Sequence, residues 1–503
     1  MSLPIPEAVA MARLGRDLPG FLRTPLGIDE AGRTVRRRLE TREARFLDIA
    51  RRAIFAHARS PYRSLLALAG CEAGDLDSLV RRDGLEGALS NLATCGVYLT
   101  FDEFKARCPI VRGSARLEPT VSDFDNPHAP THLLAQTGGS RGRPTVVRMN
   151  LSFIEEQAAS TAVALAAHGL SGHGHALWMQ SAFTGLIPTL TYAKLGRPPW
   201  GWYHPLPSMP PGGRAATSWV HLLSRMVGCP TAIPHFNDLN DAGALAERLA
   251  THGPTCVTTY ASSAVRIAVA ARKRGVDLRQ VCFITLGEPY TAAKRQAIEQ
   301  AGGQGLPRYA FTEGGIVGYG CARPRAADDM HVFRDCLALV PRRRTTPGGN
   351  VDGFLFTSLL ATAPKILLNV ETGDYGRLER RECDCAIGAT GLTDHVLEVR
   401  SFEKLSGEGI SFVGVDLLRI LEEVLPSRLG GTGGDYQIVE EEAEHGILRT
   451  VLVVSPRVTP FDERRARDVF LEALGSAGGA DRLGSDIWRR AGTVEIRRDW
   501  PYA

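Results

Sequence analysis

Over residues 44–56 and 85–92 apolar side chains recur every three or four positions with arginines between them, the period of one helix face. Residues from about 31 to 120 therefore read as a helical layer. From Leu133 onward the pattern changes. Short runs at 176–179, 256–259, 281–285 and 354–357 read as strands, and the stretches 154–167, 263–274 and 291–300 between them read as helices. Alternation of this kind predicts an α/β architecture with largely parallel pairing. After Thr390 the elements shorten: 396–400, 436–440 and 448–454 as strands, 416–424 and 461–474 as helices, a compact α+β unit. The break falls near Asp394. The expected organisation is a large domain, 1–393, with a mostly helical extension over 1–130, and a small domain, 394–503. No internal repeat is evident, and the glycines of 430–434 read as a surface turn.

A chain of 503 residues is long enough for two cores. With 44% hydrophobic and 23% charged residues it has the composition of a folded soluble protein. A formal charge of +4 gives no case for nucleic acid, and the runs Arg36-Arg37-Arg38 and Arg342-Arg343-Arg344 read as solvated faces. There is no secretory signal at the start and no apolar run that would span a membrane, so a cytoplasmic location is expected. Ten cysteines scattered through a chain of this size then argue for thiols or metal ligands over a disulfide scaffold.

Three short stretches carry the candidate chemistry: Gln136-Thr-Gly-Gly-Ser-Arg-Gly-Arg-Pro-Thr145; Gly287-Glu-Pro-Tyr-Thr291 with Tyr309-Ala-Phe-Thr-Glu313; and Glu371-Thr-Gly-Asp374. Small residues with hydroxyls and arginines can wrap a polyphosphate through backbone N–H groups, one carboxylate can hold magnesium, and another can bind ribose hydroxyls. On residue chemistry alone the first stretch is equally a surface loop, since no Gly-Lys-Ser/Thr follows its glycines.

The first stretch resembles the phosphate loop of acyl-adenylate-forming enzymes, specifically the phenylacetate-CoA ligase branch, where Pro-Thr replaces Pro-Lys. Val257-Thr-Thr-Tyr-Ala-Ser262 is similar to the approach to the adenine pocket. Gly287-Glu-Pro-Tyr-Thr291 is similar to Gly-Ala-Glu-Pro-Trp-Thr, and Tyr309-Ala-Phe-Thr-Glu313 resembles Tyr-Gly-x-Thr-Glu with Ala310 for glycine. Glu371-Thr-Gly-Asp374 matches the tail of Tyr-Arg-Thr-Gly-Asp. The likeness spans roughly 130–425. It implies an ATP-dependent enzyme that joins a carboxylic acid to AMP and passes the acyl group to coenzyme A, a carrier-protein thiol or an amine. Thr137, Gly138, Gly139, Ser140 and Gly142 would donate to the phosphates and Arg141 and Arg143 would add charge. Gly287, Glu288, Pro289 and Tyr309 would face the nucleotide, Thr312 and Glu313 the reacting phosphate with magnesium on Glu313, and Asp374 the ribose. Gly391-Leu-Thr-Asp-His395 resembles the interdomain hinge, with Asp394 as its pivot. The resemblance is compatible with a homodimer.

Two departures stand out. Leu392 replaces the arginine of the hinge motif, and the usual lysine near the carboxy terminus is absent: the lysines are Lys105, Lys194, Lys273, Lys294, Lys365 and Lys404. Lys404, alone beyond the hinge, is either the substitute cation or a solvated loop residue beside Glu403. These departures also admit a relative that binds nucleotide, or a preformed acyl-adenylate, without making one. Cys321, His331, Cys383 and Cys385 match positions where some relatives carry structural zinc. Three thiolates and an imidazole suit closed tetrahedral zinc, with Cys336 a rival ligand and reduced packed thiols the alternative. The acid pocket is expected from Phe183, Thr184, Gly185, Tyr260, Ala261 and Phe311, which suits an aromatic acid, although these are equally core aromatics. Trp200, Trp202 and Tyr203 in a proline-rich loop read as a lid or a rigid surface turn.

Overall fold

The computed structural model describes residues 5–136, 146–179, 182–206, 211–346, 349–401, 404–407, 410–413, 417–476 and 479–501. Its centre is one twelve-stranded sheet. Six strands pair in parallel, in spatial order Pro234–Phe236, Gly201–His204, Gly174–Trp178, Thr255–Tyr260, Val281–Leu286 and Gln304–Phe311. The other six are antiparallel: Gly315–Gly320, Met330–Val332, Asp394–Ser401, Val370–Arg380, Gly349–Ser358 and Leu337–Thr346. The parallel pairing expected from the α/β alternation thus extends over half of the sheet.

The helices on the parallel half follow their sequence. Leu151–Ala167 starts at Asn150, whose side-chain oxygen accepts the Phe153 N–H at 2.8 Å, a cap worth about 1 kcal/mol. Ala261–Arg274 ends at Gly275, whose φ of 67° is the left-handed conformation that only glycine adopts without strain. The amino-terminal helices Arg42–Ile49, Pro61–Leu68 and Ala73–Thr94 are not an appendage. Phe46, Leu65, Leu66, Val80, Leu89 and Leu92 bury against Val317, Leu339, Phe354, Phe356 and Val370 of the antiparallel strands and share one core with them.

In the arginine runs expected to be solvated, Arg36, Arg37 and Arg343 are exposed, while Arg38, Arg342 and Arg344 form ion pairs. Arg38 is 4% exposed and meets Glu156 at 2.6 Å and Asp335 at 3.0 Å. Arg342 and Arg344, on one face of their strand because side chains alternate, both reach Glu371, at 2.7 and 2.8 Å. Trp202 and Tyr203 belong neither to a lid nor to a surface turn. Their strand, Gly201–His204, is covered on both faces, as a parallel strand is, and Trp202 is 0% exposed.

The smaller unit has a three-stranded sheet, Tyr436–Glu442, Leu448–Val454 and Val494–Arg498, covered by Glu463–Leu474 and Gly479–Ala491. Tyr436, Leu452, Phe470, Leu474 and Trp488 form its core. It meets the large domain where Arg266 donates to the Ala491 carbonyl at 2.8 Å and Arg490 pairs with Asp238 at 3.1 Å. Asp394–Ser401, the strand that opens at the expected break, is hydrogen-bonded within the large sheet.

Candidate functional site

In a parallel sheet the carboxyl ends of the strands form a natural crevice, because every connection leaves from that edge. Here Tyr260 ends one such strand opposite Leu286, and Gly287-Glu288-Pro289 follows directly. The next strand carries Tyr309 and Phe311, and Glu313 sits at the tip of the hairpin beyond it. The base of the glycine-rich turn, Leu133–Gln136 paired with Val146–Met149, packs its Leu133, Ala135, Val147 and Met149 into the core that holds Met179, Tyr260, Ile284 and Ile316. Thr137, Gly138, Gly139, Ser140, Arg141, Gly142 and Arg143 lie outside the described residues.

Each acidic candidate has identifiable partners. The Glu313 side chain is 8% exposed and forms an ion pair with the ammonium of Lys105, which comes from the helical layer. Burial pushes the Glu313 carboxyl up, but Lys105, reinforced by the field of Lys365, outweighs it and holds the group below its ordinary value. Asp374 accepts the Tyr309 hydroxyl at 2.8 Å, Thr372 Oγ1 at 3.2 Å and the Ser401 hydroxyl, so it joins three strands. Burial and then the Asp374 charge push the Tyr309 phenol well above its usual range, and it remains a donor. Glu288 is engaged structurally: its carboxylate accepts the Ser262 N–H at 3.0 Å and hydroxyl at 2.6 Å at the start of helix Ala261–Arg274, where the helix dipole favours a negative charge. Lys294 approaches the same carboxylate at 3.4 Å and also donates to the Pro289 carbonyl at 2.8 Å. Asp394 pairs with Arg334 at 2.9 Å, and Arg334 also reaches Glu86 of the helical layer at 3.2 Å. Lys404 opens a two-stranded ribbon, paired with Val413; its side chain lies outside the described residues.

The expected acid-pocket residues divide between two sides. Thr184 hydrogen-bonds the Tyr260 hydroxyl, and burial pushes that phenol up to about 12. Gly185 lies under the Trp202 ring, where a Cβ would stand 2.1 Å from Cζ2, so no larger residue fits. Phe183 packs against the same core as Tyr260, and Ala261 is buried among the helices of the neighbouring core. Phe311, with Tyr309, turns the other way, its ring 4.9 Å from Phe356. Strand alternation instead brings Ala310 to the side of Phe183 and Tyr260. Thr312 is half-buried beside Glu313.

Cys321, His331, Cys383 and Cys385 converge, their ligand atoms all within 4.8 Å of one another. Cys321 and Cys383 approach to 3.5 Å, and His331 Nε2 lies 3.0 Å from Cys385 Sγ. His331 Nδ1 donates to the Leu392 carbonyl at 2.8 Å, which leaves Nε2 with its lone pair turned to the thiols. The backbone N–H groups of Arg323 and Gly388 donate to Cys321 and Cys385 at 3.3 and 3.4 Å. The contacts with Cys321 and then His331 hold the Cys385 thiol below its ordinary value. The donor set therefore fits a closed tetrahedral ion. Cys336 stands apart, 3.5 Å from the Ser160 hydroxyl, and burial pushes its thiol up to about 12. Leu392 is fully buried, its carbonyl turned to His331.

Lys105, Lys365 and Ala310 are the positions that reading the sequence did not bring to the site. Scarcity was the available signal for the first two, since lysine is rare in a chain rich in arginine and Lys105, Lys194, Lys294 and Lys365 all have side chains at most 8% exposed.

No protein-family profile matches the chain, and no curated protein matches it. Among solved structures it is similar to 2-hydroxyisobutyryl-CoA ligase in complex with 2-HIB-AMP and CoA, at 16% identity, covering 92% of this chain and 87% of that one, with a TM-score of 0.55. A malonyl-CoA ligase with methylmalonyl-CoA and AMP gives 0.41 at 13% identity over 74% and 72% of the two chains, too low to carry weight. The first likeness establishes that the chain shares the fold of that ligase, a large α/β domain with a smaller carboxy-terminal unit.

Proposed function

We propose that this chain is an ATP-dependent, AMP-forming ligase that activates a carboxylic acid as its acyl-adenylate and transfers the acyl group to a thiol, of CoA or a carrier protein, or to an amine. The observation that carries the reading is the gathering, at one edge of the parallel strands, of Glu313, the Tyr309–Asp374 pair, the Thr184–Tyr260 pair and the base of the glycine-rich turn. Adenylation requires an α-phosphate held for attack and a counter-charge for the oxygens that gain charge, which positioned groups supply. Magnesium held by a single protein carboxylate plus phosphate oxygens is the expected chemistry, and Glu313 is the carboxylate with that placement. In this reading Asp374 reaches the ribose, residues 137–143 hold the phosphates, Asp394 is the pivot between 1–393 and 394–503, and Lys404 carries charge from the small domain to the reacting phosphate. Phe183, Tyr260 and Ala310 favour an apolar, aromatic acid, in keeping with the phenylacetate-CoA ligase branch.

The convergence of Cys321, His331, Cys383 and Cys385 supports a structural zinc. It would tie the turn after Gly315–Gly320 to strand Met330–Val332 and to the segment ahead of Asp394.

Exchange of labelled pyrophosphate into ATP, measured with a panel of aromatic and aliphatic acids, tests the activity. Acid-dependent exchange supports the ligase. ATP binding without exchange for any acid would replace it with a nucleotide-binding relative that does not adenylate.

A further inference from the structure

Lys105 and Glu313 are 208 residues apart, yet their ion pair is the closest contact at the candidate metal carboxylate. The lysine does not arrive on a loose arm. It caps the single turn Phe101–Phe104, whose start is fixed by reciprocal bonds between Thr100 and Glu103, and Glu103 is gripped by Arg112 at 2.8 Å. Backbone bonds from Leu99 to Asn369 and from Glu371 to Leu99, at 3.0 and 2.9 Å, fasten this segment to the strand bearing Glu371-Thr-Gly-Asp374. The ammonium lies 5.7 Å from the ring centroids of both Phe101 and Phe104. Lys365, itself paired with Asp125 at 2.6 Å, adds a second positive field at Glu313.

We propose that Lys105 is the resident cation of Glu313 and that a divalent ion binds this carboxylate only by displacing the ammonium, so that the helical layer sets the metal affinity of the site. The inference rests on the reading of Glu313 as the metal carboxylate. A compact ammonium and a divalent ion cannot share one buried carboxylate without strong repulsion at contact distance, and the loss of that repulsion corresponds to a factor of about ten or more in affinity. The Phe101 and Phe104 rings already lie 5.7 Å from the paired ammonium, and their cation–π attraction would continue to hold it nearby once the carboxylate is taken by the ion. Arginine, with its wide planar fork, would not make this exchange in the same space.

The test measures Mn2+ binding to the nucleotide-free, full-length protein by electron paramagnetic resonance. Lys105→Gln, which keeps a hydrogen-bond donor but removes the charge, is expected to bind Mn2+ about tenfold tighter than the parent. Adding Glu313→Gln to that variant is expected to abolish the gain. Should Lys105→Gln fail to fold, Lys105→Met is read by the same criterion, with circular dichroism confirming the fold. Affinity unchanged or weakened in the lysine variant, while Glu313→Gln still weakens Mn2+ binding in the parent, overturns the inference and leaves Glu313 as a metal ligand. Affinity that does not respond to Glu313→Gln in either background overturns the inference together with the reading it rests on.

Discussion

Removal of the zinc proposed for the Cys321, His331, Cys383 and Cys385 site is expected to lower the melting temperature by about 5–10 °C. Four ligand atoms within 4.8 Å of one another, with His331 already turned by the Leu392 carbonyl, form a site prepared only in the folded chain. An ion that binds the folded state alone stabilises it by about 2.7 kcal/mol when present at a hundred times its dissociation constant. In a cooperative unit of a few hundred residues each kcal/mol shifts the melting temperature by about 2–4 °C, which gives the stated range. The assay is thermal unfolding followed by circular dichroism, in reductant, with and without a strong chelator, paired with metal analysis of the purified protein. Cys385→Ser is expected to melt at the chelated temperature and to show no further response to chelator. Protein that contains no zinc as purified, and melts at one temperature whether zinc or chelator is added, would refute the reasoning and leave four reduced thiol and imidazole groups packed together.

Gly185→Ala places a methyl carbon 2.1 Å from Cζ2 of the Trp202 ring, an overlap that something must relieve, and is expected to cost about 1–3 kcal/mol in urea unfolding; a change below about 0.5 kcal/mol would mean that this helix and strand do not meet closely. Asp481 is 5% exposed, and burial pushes its carboxyl from 3.8 to about 6 in the folded state. The folded chain therefore holds that proton more tightly, and stability falls as pH rises from about 4 to 6, with the penalty complete above 6. Asp481→Asn is expected to raise stability at pH 7 by about 2 kcal/mol and to change nothing below pH 4; equal effects at both pH values would contradict this sign.

The sequence made some of this architecture readable because local rules and tertiary environment agree. Helix Ala261–Arg274 has its apolar period and its terminating Gly275, and Val281–Leu286 is a largely apolar run, broken only by Thr285, between turns. The failures share a cause: burial decided by partners distant in the chain. Gly201–His204, with prolines close by, looked like a loop, and it becomes a strand because parallel strands pair with both of its edges and all four of its residues are buried. Leu337–Thr346 carries three consecutive arginines that look solvated, yet Glu371, from another strand, pairs with two of them. At the site the same limit applies. Glu313 was legible from its motif, whereas Lys105 was not, since nothing in Phe101-Asp-Glu-Phe-Lys105 announces the hairpin it will meet. Glu288 stood out as an acidic residue in a motif, and only the start of the neighbouring helix at Ser262 reveals where its charge is used.

The most direct measurement follows an oxygen atom. If a carboxylate attacks the α-phosphorus of ATP, one of its oxygens stays on AMP after the acyl group leaves. With an acid found active by exchange and labelled with oxygen-18 in its carboxylate, mass spectrometry of the products should show AMP carrying one heavy oxygen and pyrophosphate carrying none. Unlabelled AMP, or the label on inorganic phosphate beside ADP, would contradict the acyl-adenylate at the centre of this account.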